Sequence, residues 1–153
     1  MVNFVCSLVV VVIAHNLHGL LHDHLHGTSC AAYTSDMRVQ VAKDRYYYPD
    51  VTVSCDENEE DNTLHSPRVV FEVLSPSTET TDRTEKLEAY RELPSIEDYV
   101  LVASERQAVE VHHRDRKQNC WITRIYSSGD SVKIESLGAE FLMDEIYERT
   151  RFR

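Results

Sequence analysis

A single carboxylate interrupts the most hydrophobic run of the chain, RVVFEVL at residues 68–74. A continuous apolar run of this length predicts a central strand that is buried on both faces of a sheet. Glu72 would then lie in the protein interior, where an isolated ionised carboxylate costs several kcal/mol. Either a metal ion or a basic side chain must neutralise it, and the basic candidates are Arg38, Arg68 and Lys86.

A second carboxylate stands at the start of another predicted strand. The segment YYYPDVTVS, residues 46–54, ends in an alternating run that is typical of a strand with one buried face. Asp50 precedes that run and follows Pro49, which lacks an N–H and is tolerated at the first residue of a strand. Since consecutive strands usually lie side by side, we expect Asp50 and Glu72 to converge at one end of the sheet. The alternative for Asp50 is a residue that only caps the preceding loop.

Two neighbouring carboxylates repel each other and need a shared proton or a cation. A divalent cation fits, because Mg²⁺ binds through a few carboxylates and several waters. Such an ion polarises a phosphodiester and lowers the pKa of an attacking water. Lys86, on a helix stripe that borders the apolar face, is the candidate to orient water or stabilise charge. The alternative is a solvated lysine that pairs with Asp82, four residues earlier.

The order of predicted elements is that of an α/β protein with a mixed sheet. A helix at residues 14–26 is followed by an extended stretch at 31–41 and by the two strands described above. Asp82 is predicted to be the N-cap of the next helix, with Glu85 completing a capping box. A buried strand at 98–103 and a series of β-hairpins complete the chain. The length of 153 residues is that of one domain.

Two segments carry a family resemblance: YYYPDVTVSCD at 46–56 and VVFEVLSPSTETTDRTEKLEAYRELPSIEDYVLV at 69–102. They closely resemble the Uma family of restriction endonucleases, within the PD-(D/E)XK nuclease superfamily, and the resemblance extends from about His15 to Tyr147. It implies one restriction-endonuclease-like domain over residues 1–153, with an αβββαβ core, a mixed sheet and additional C-terminal β-hairpins. It also implies hydrolysis of DNA phosphodiester bonds with Mg²⁺ (or Mn²⁺), by an enzyme that acts as a homodimer.

The resemblance assigns roles to individual residues. Asp50 and Glu72 are the catalytic carboxylates that hold the metal, and the peptide carbonyl of Val73 also faces it. Leu74 stands where the superfamily has its lysine, so the resemblance implies that the helix supplies this catalytic group as Lys86.

Residues 1–13 depart from the family pattern, since VNFVCSLVVVV does not match the segment that precedes the first helix in its members. The departure indicates a truncated or frame-altered start that lacks a strand and an accessory carboxylate. The rival hypothesis is therefore a catalytically inactive relative that acts as a binding or interaction module. The apolar residues 4–14 are too short to span a membrane, which takes roughly 20 residues, and they lack the basic start of a signal peptide. We therefore expect a cytoplasmic protein without a membrane partner.

Composition limits the functions and the kinds of site that the chain can have. The formal net charge of −10 excludes a strong non-specific nucleic-acid binder, but not a nuclease that binds DNA through metal ions and a local basic strip. Four cysteines without a CxxC spacing predict free thiols in a reducing cytosol. Several histidines, among them His22 and His26, occur at helical spacings. They form either a transition-metal site or simply the exposed polar face of the helix.

Overall fold

The computed structural model describes residues 7–152. Its helices are α1 (Leu8–Leu25), α2 (Glu79–Arg83), α3 (Glu85–Glu92) and α4 (Met143–Ile146). Its strands are β1 (Ala31–Thr34), β2 (Arg38–Ala42), β3 (Arg45–Tyr47), β4 (Val51–Ser54), β5 (Thr63–Leu64), β6 (Pro67–Leu74), β7 (Asp98–Ala103), β8 (Ala108–Asp115), β9 (Cys120–Ser127), β10 (Ser131–Ile134) and β11 (Ala139–Leu142). The alternation of helices and strands confirms the α/β class predicted from the sequence.

A six-stranded mixed sheet forms the centre, in the order β1-β4-β6-β7-β8-β9. Within this sheet the β6–β7 pair is parallel and the other four pairs are antiparallel, and α2 and α3 make the crossover between β6 and β7. The predicted β8–β9 hairpin is confirmed, whereas β10 pairs with β11 rather than with β9. The extended stretch at 31–41 divides between two sheets, because β2 joins β3 and β5 in a separate three-stranded sheet.

Strands β6 and β7 of the central sheet are buried on both faces, as their continuous apolar runs predict. Strand β4 is also buried on both faces, although its alternating run predicted one buried face. On one face, α1, α4 and the β10–β11 pair cover residues such as Val53 and Phe71. On the other face, α3 and the three-stranded sheet cover Val70 and Leu101. Alternate residues of β6 therefore enter different cores, and Glu72 shares its face with Val70 and Leu74. That face carries the candidate site.

Helix α1 begins at Leu8, six residues before the predicted start at 14. Ile13, Leu17, Leu21 and Leu25 form its buried stripe, and burial of each stabilises the fold by about 1.5–3 kcal/mol. The helix is long and apolar enough to cross a membrane by length and composition alone. Its stripe packs on the sheet, while Leu8 and Val11 are exposed. The absence of a membrane partner stays a prediction, and residues 1–6 of the atypical start lie outside the described residues.

The expectation of free thiols is wrong for two of the cysteines. Cys30 and Cys55 form a disulfide that joins the residue before β1 to the residue after β4. The pairing arises because Ala31 and Ser54 are partners in the β1–β4 ladder, so the flanking cysteines meet at its end. Cys120 is a free, exposed thiol.

Reduction of this disulfide is expected to destabilise the protein. The bridge closes a loop over a separation of 25 residues, which in the chain-entropy description stabilises by about 3 kcal/mol. For a domain of this size, the corresponding loss of melting temperature is roughly 6–12 °C. Thermal unfolding with and without dithiothreitol, for the wild type and for Cys55→Ser, measures the effect. Cys120→Ser is the control and should melt like the wild type, and an unchanged melting temperature on reduction would contradict the assignment.

Candidate active site

The register of the β4–β6 pair brings the two predicted carboxylates together. Val51 is the partner of Phe71 in this antiparallel ladder, so Asp50 stands opposite Glu72 at the point where β4 begins. The backbone N–H of Val73 donates to Asp50 Oδ2 over 2.8 Å, which fixes the orientation of the aspartate. The Asp50 carboxylate is close enough to help raise the pKa of the Glu72 carboxyl. Asp50 and Glu72 therefore converge at one end of the sheet, as their positions in the sequence predict.

Lys86 reaches this carboxylate pair from α3. Its Nζ lies 3.4 Å from Glu72 Oε1, and the side chains are 17% and 4% exposed respectively. Its Nζ also lies over the Tyr47 ring, 5.6 Å from the ring centre. The ammonium is thus held at the sheet end rather than in solvent. Of the three basic side chains considered for Glu72, Lys86 is the one that contacts it.

A third carboxylate, Asp82, belongs to the same cluster and was not predicted to do so. The structure places Asp82 inside α2, with its side chain buried, and not at an N-cap; no side-chain cap bond is made at either α2 or α3. Its Oδ1 lies 2.8 Å from Lys86 Nζ, without the angle of a hydrogen bond, so attraction between the charges holds the contact. The i,i+4 pair of Asp82 and Lys86 was the alternative given for the lysine, but as a solvated pair. The structure forms the pair with both side chains largely buried, at 17% exposure for Lys86 and 1% for Asp82.

The cluster holds three carboxylates against one ammonium group in a poorly solvated place. Burial raises the pKa of the Glu72 carboxyl well above its usual value; Lys86 opposes this rise, and Asp50 and Asp82 add to it. Burial likewise raises the pKa of Asp50, which the Val73 N–H partly offsets. For Lys86, burial works against the charged form, but the attraction of Glu72 and Asp82 outweighs it and raises the lysine pKa. Lys86 is therefore an ammonium at neutral pH.

The rings of Tyr47, Tyr90 and Tyr99 form an aromatic wall beside the carboxylate cluster. The ring of Tyr90 lies 5.0 Å from that of Tyr99 and 5.7 Å from that of Tyr47, centre to centre. Tyr99 donates to the backbone carbonyl of Asp82 over 2.9 Å, which ties α2 to the sheet. This wall excludes water from one side of Glu72, so the charges of the cluster act on each other with little screening.

The donor atoms of the cluster are those that a hard divalent cation takes. Asp50 and Glu72 supply carboxylate oxygens, and their mutual repulsion is relieved by a cation. The N–H and C=O of one residue point to the same edge of a strand, so the carbonyl of Val73 faces the edge on which Asp50 lies. Among residues 7–152, no group of three or more His, Cys, Asp or Glu side chains is arranged to hold a metal ion. A cation here would thus rely on two carboxylates, this carbonyl and water.

Asp50 also borders a cavity of about 260 Å³ on its other side. Helix α1 and the β1–β2 turn form the remaining walls, and His15 and His18 are among the lining residues. His18 is fixed by a 3.2 Å contact between its Nε2 and the carbonyl oxygen of Ala32. The proximity of these histidines to Asp50 was not foreseen from the sequence. His22, His24 and His26 are exposed, as expected for a polar helix face.

Comparison with known proteins connects this geometry to a family. The family model Uma2, described as "Putative restriction endonuclease", matches residues 11–144. Two Synechocystis proteins, both of them uncharacterised, are similar to the chain. Protein slr1290 is 35% identical over 144 residues, which is 92% of this chain and 75% of that protein. Protein sll1609 is 30% identical over 125 residues, which is 78% of this chain and 70% of that protein.

A solved structure shares the fold. It is described as a putative nuclease belonging to DUF820 from Anabaena variabilis, and it superposes with a TM-score of 0.73 at 18% sequence identity. The match covers 92% of this chain and 81% of the Anabaena chain. At this identity the likeness bears on the fold alone, and it confirms the restriction-endonuclease-like architecture predicted from the sequence.

Proposed function

Because the chain belongs to the Uma2 family of putative restriction endonucleases, we propose that it hydrolyses phosphodiester bonds in DNA with Mg²⁺ or Mn²⁺. The observation that carries the proposal is the position of Asp50 opposite Glu72 on adjacent strands, with the ammonium of Lys86 3.4 Å from Glu72. A carboxylate pair and a lysine at one end of a mixed sheet is the arrangement that the resemblance to PD-(D/E)XK nucleases implies.

Each residue would have a distinct role. Asp50, Glu72 and the carbonyl of Val73 would hold the divalent cation, which supplies polarisation of the phosphodiester and a water of lowered pKa. Lys86, which is protonated at neutral pH, would orient the attacking water or stabilise the charge that develops on the phosphate. Asp82 would position Lys86 through their 2.8 Å contact. The aromatic wall would keep bulk water away and strengthen these interactions.

The substrate and assembly belong to the same proposal. A backbone phosphate of DNA would lie against the cation and Lys86, which together offset the negative charge that surrounds the site. Action as a homodimer stays a prediction that follows from the resemblance, as does a cytoplasmic location.

Cleavage of DNA tests the proposal directly. The wild-type protein should cut supercoiled plasmid and a linear duplex with Mg²⁺ or Mn²⁺, and neither substrate in EDTA. Asp50→Asn should lower the rate by at least about 100-fold, because a cation that contributes several kcal/mol to the transition state loses a ligand. Asp44→Asn changes an exposed aspartate in the β2–β3 turn and should cut at the wild-type rate.

Three results would count against the nuclease assignment. Cutting in EDTA would indicate a contaminant or a metal-independent reaction. Full activity of Asp50→Asn would show that Asp50 is not a catalytic metal ligand. A folded wild-type protein that cuts neither substrate with either metal would instead favour the inactive relative that acts as a binding module.

A further inference from the structure

A second cleft lies at the opposite end of the central sheet from Glu72. It has a volume of about 570 Å³ and opens where β6 and β7 begin and β8 ends. Arg68, on its wall, is four residues before Glu72 on β6, which places the two Cα atoms roughly 13 Å apart along the strand. The cleft is therefore separate from the carboxylate cluster.

Of the four basic side chains on the cleft wall, Arg116 has an acidic partner among the described residues and the other three do not. The lining includes Arg68, Arg114, Arg116 and Lys117. Among residues 7–152, neither the side chain of Arg68 nor that of Lys117 has a hydrogen bond or an ion pair, and the Arg68 contact is made by its backbone carbonyl. Arg68 is half-buried, so its unpaired charge sits in a partly desolvated position. In a chain with a net charge of −10, two cations without an acidic partner make this cleft locally positive.

Arg114 adds a third positive charge that no carboxylate neutralises. Its guanidinium donates to the backbone carbonyls of Ile96, Arg91 and Leu93 over 2.7–3.0 Å and lies 4.4 Å from the centre of the Trp121 ring. These contacts fix the group in place but leave its charge uncompensated. A rigid guanidinium is a suitable partner for an oxyanion, because its geometry is set before the ligand arrives.

The acidic side chains of the cleft are already engaged. Glu97 pairs with Arg116 at 2.7 Å, and the Asp115 carboxylate accepts from the backbone N–H groups of Lys117 and Gln118. Glu135 contacts both Arg124 and His113. Glu97 and Glu135 thus have basic partners and Asp115 has backbone partners alone, whereas Arg68, Arg114 and Lys117 have no carboxylate partner in the described part of the chain. Three cations against one carboxylate leave the cleft with an excess of positive charge.

We propose that this cleft is an anion-binding site that takes a phosphate group through Arg68, Arg114 and Lys117. A tetrahedral phosphate offers enough acceptor oxygens for several N–H donors at once, which a chloride ion does not. The phosphate belongs either to a small phosphorylated molecule or to the backbone of a nucleic acid. Phosphate binding in this cleft does not depend on the carboxylate cluster, so the proposal is tested independently of the nuclease assignment.

Trp121 gives a direct readout of occupancy for the small ligand. It is the only tryptophan of the chain and it stacks on Arg114. In EDTA, titration with inorganic phosphate or ribose 5-phosphate should change its fluorescence saturably, whereas sodium chloride of equal ionic strength should not. Arg68→Gln and Lys117→Gln should each weaken this binding by about tenfold or more, since each removes a charge-assisted contact. Lys133→Gln, an exposed lysine on β10, is the matched control and should bind like the wild type.

The nucleic-acid arm uses a short duplex in EDTA, with affinity measured at several salt concentrations. If the backbone is the source of the phosphate, the Arg68→Gln/Lys117→Gln double variant should have a salt slope less negative by about 1.8, or about 0.9 for each cation removed. The Lys117→Gln variant alone, at an exposed position, covers the case in which the double variant fails to fold. Saturable binding of the small phosphates with an unchanged salt slope would assign the site to a small phosphorylated molecule. No saturable phosphate response together with an unchanged salt slope would overturn the proposal.

Discussion

Glu72→Gln is expected to abolish divalent-cation-dependent DNA cleavage, with a loss of at least about 100-fold, and to leave the metal-free protein as stable as the wild type or slightly more stable. Glutamine keeps the shape of the side chain and removes its charge. Lys86 keeps Asp82 at 2.8 Å as its partner, so the substitution does not leave a buried ammonium alone. Relief of the repulsion from Asp50 should stabilise the variant by about 1 kcal/mol, the equivalent of one pKa unit.

The stability difference should depend on pH in a defined direction. Because burial raises the pKa of Glu72, the folded protein holds this proton at pH values where the unfolded chain has lost it. The stability that this proton contributes is complete below the ordinary pKa near 4.5 and is lost as the pH rises through the raised value. Glu72→Gln does not suffer that loss, so its advantage in EDTA should be larger at pH 8 than at pH 5.

Melting curves with and without Mn²⁺ complete this experiment. The wild type should gain about 2.7 kcal/mol when the free ion is at 100 times its dissociation constant, and the variant should gain less. Glu88→Gln, an exposed glutamate on α3, should behave like the wild type in every condition. A metal-independent loss of 3–5 kcal/mol in Glu72→Gln would mean that the Glu72–Lys86 pair is structural, and the nuclease assignment would be lost with it.

Lys86→Met should have the largest effect on stability. The substitution retains most of the side-chain length and removes the cation that lies among three carboxylates. Loss of one partner from a buried ion pair costs about 3–5 kcal/mol, or roughly 6–20 °C in melting temperature for a domain of this size. Mn²⁺ should restore part of the stability by neutralising Asp50 and Glu72, but not the cleavage, because the group that orients water or stabilises charge is absent.

The pH dependence of Lys86→Met distinguishes an electrostatic loss from a packing loss. Lys86 lowers the pKa of both Glu72 and Asp50, so its removal raises those values further. Stability is then lost as the pH rises through the raised values, and the deficit should be smaller at pH 5 than at pH 8. Lys133→Met is the control at an exposed position and should show no deficit. An equal deficit at both pH values would point to lost packing against Tyr47 instead.

The sequence predicted the strand pair of the site because its signals are local. The apolar run around Glu72 and the alternating run after Asp50 each define a strand, and strands that are close in the chain tend to pair. The short strand β5 lies between them in the chain but joins the three-stranded sheet, so β4 and β6 still pair. The burial of Asp82 was not predictable in this way. A capping pattern depends on residues within one turn, whereas Asp82 is buried because α2 packs on the sheet, where the Tyr99 hydroxyl donates to the Asp82 backbone carbonyl.

Contacts between residues far apart in the chain explain most of the other features that the sequence did not predict. Cys30 and Cys55 lie 25 positions apart with no motif, and only the β1–β4 register brings them together. The start of α1 at Leu8 was missed because the run before residue 14 is apolar on all sides and has no helical stripe of its own. The cleft around Arg68 is likewise formed by segments from three strands, which no single stretch of sequence reveals.

The Cys30–Cys55 bridge makes the segment between them a covalent ring, and the β2–β3 turn around Lys43 lies within it. An interruption of the backbone at that exposed turn would leave both pieces joined through sulfur, with α1 and β1 on one piece and the carboxylate pair entirely on the other. The turn is therefore a place where new chain ends or an inserted sequence can be accommodated without separating α1 from the sheet that it covers. The same interruption after Cys55, in the loop DENEED at residues 56–61, would lie outside the ring and would divide Asp50 from Glu72.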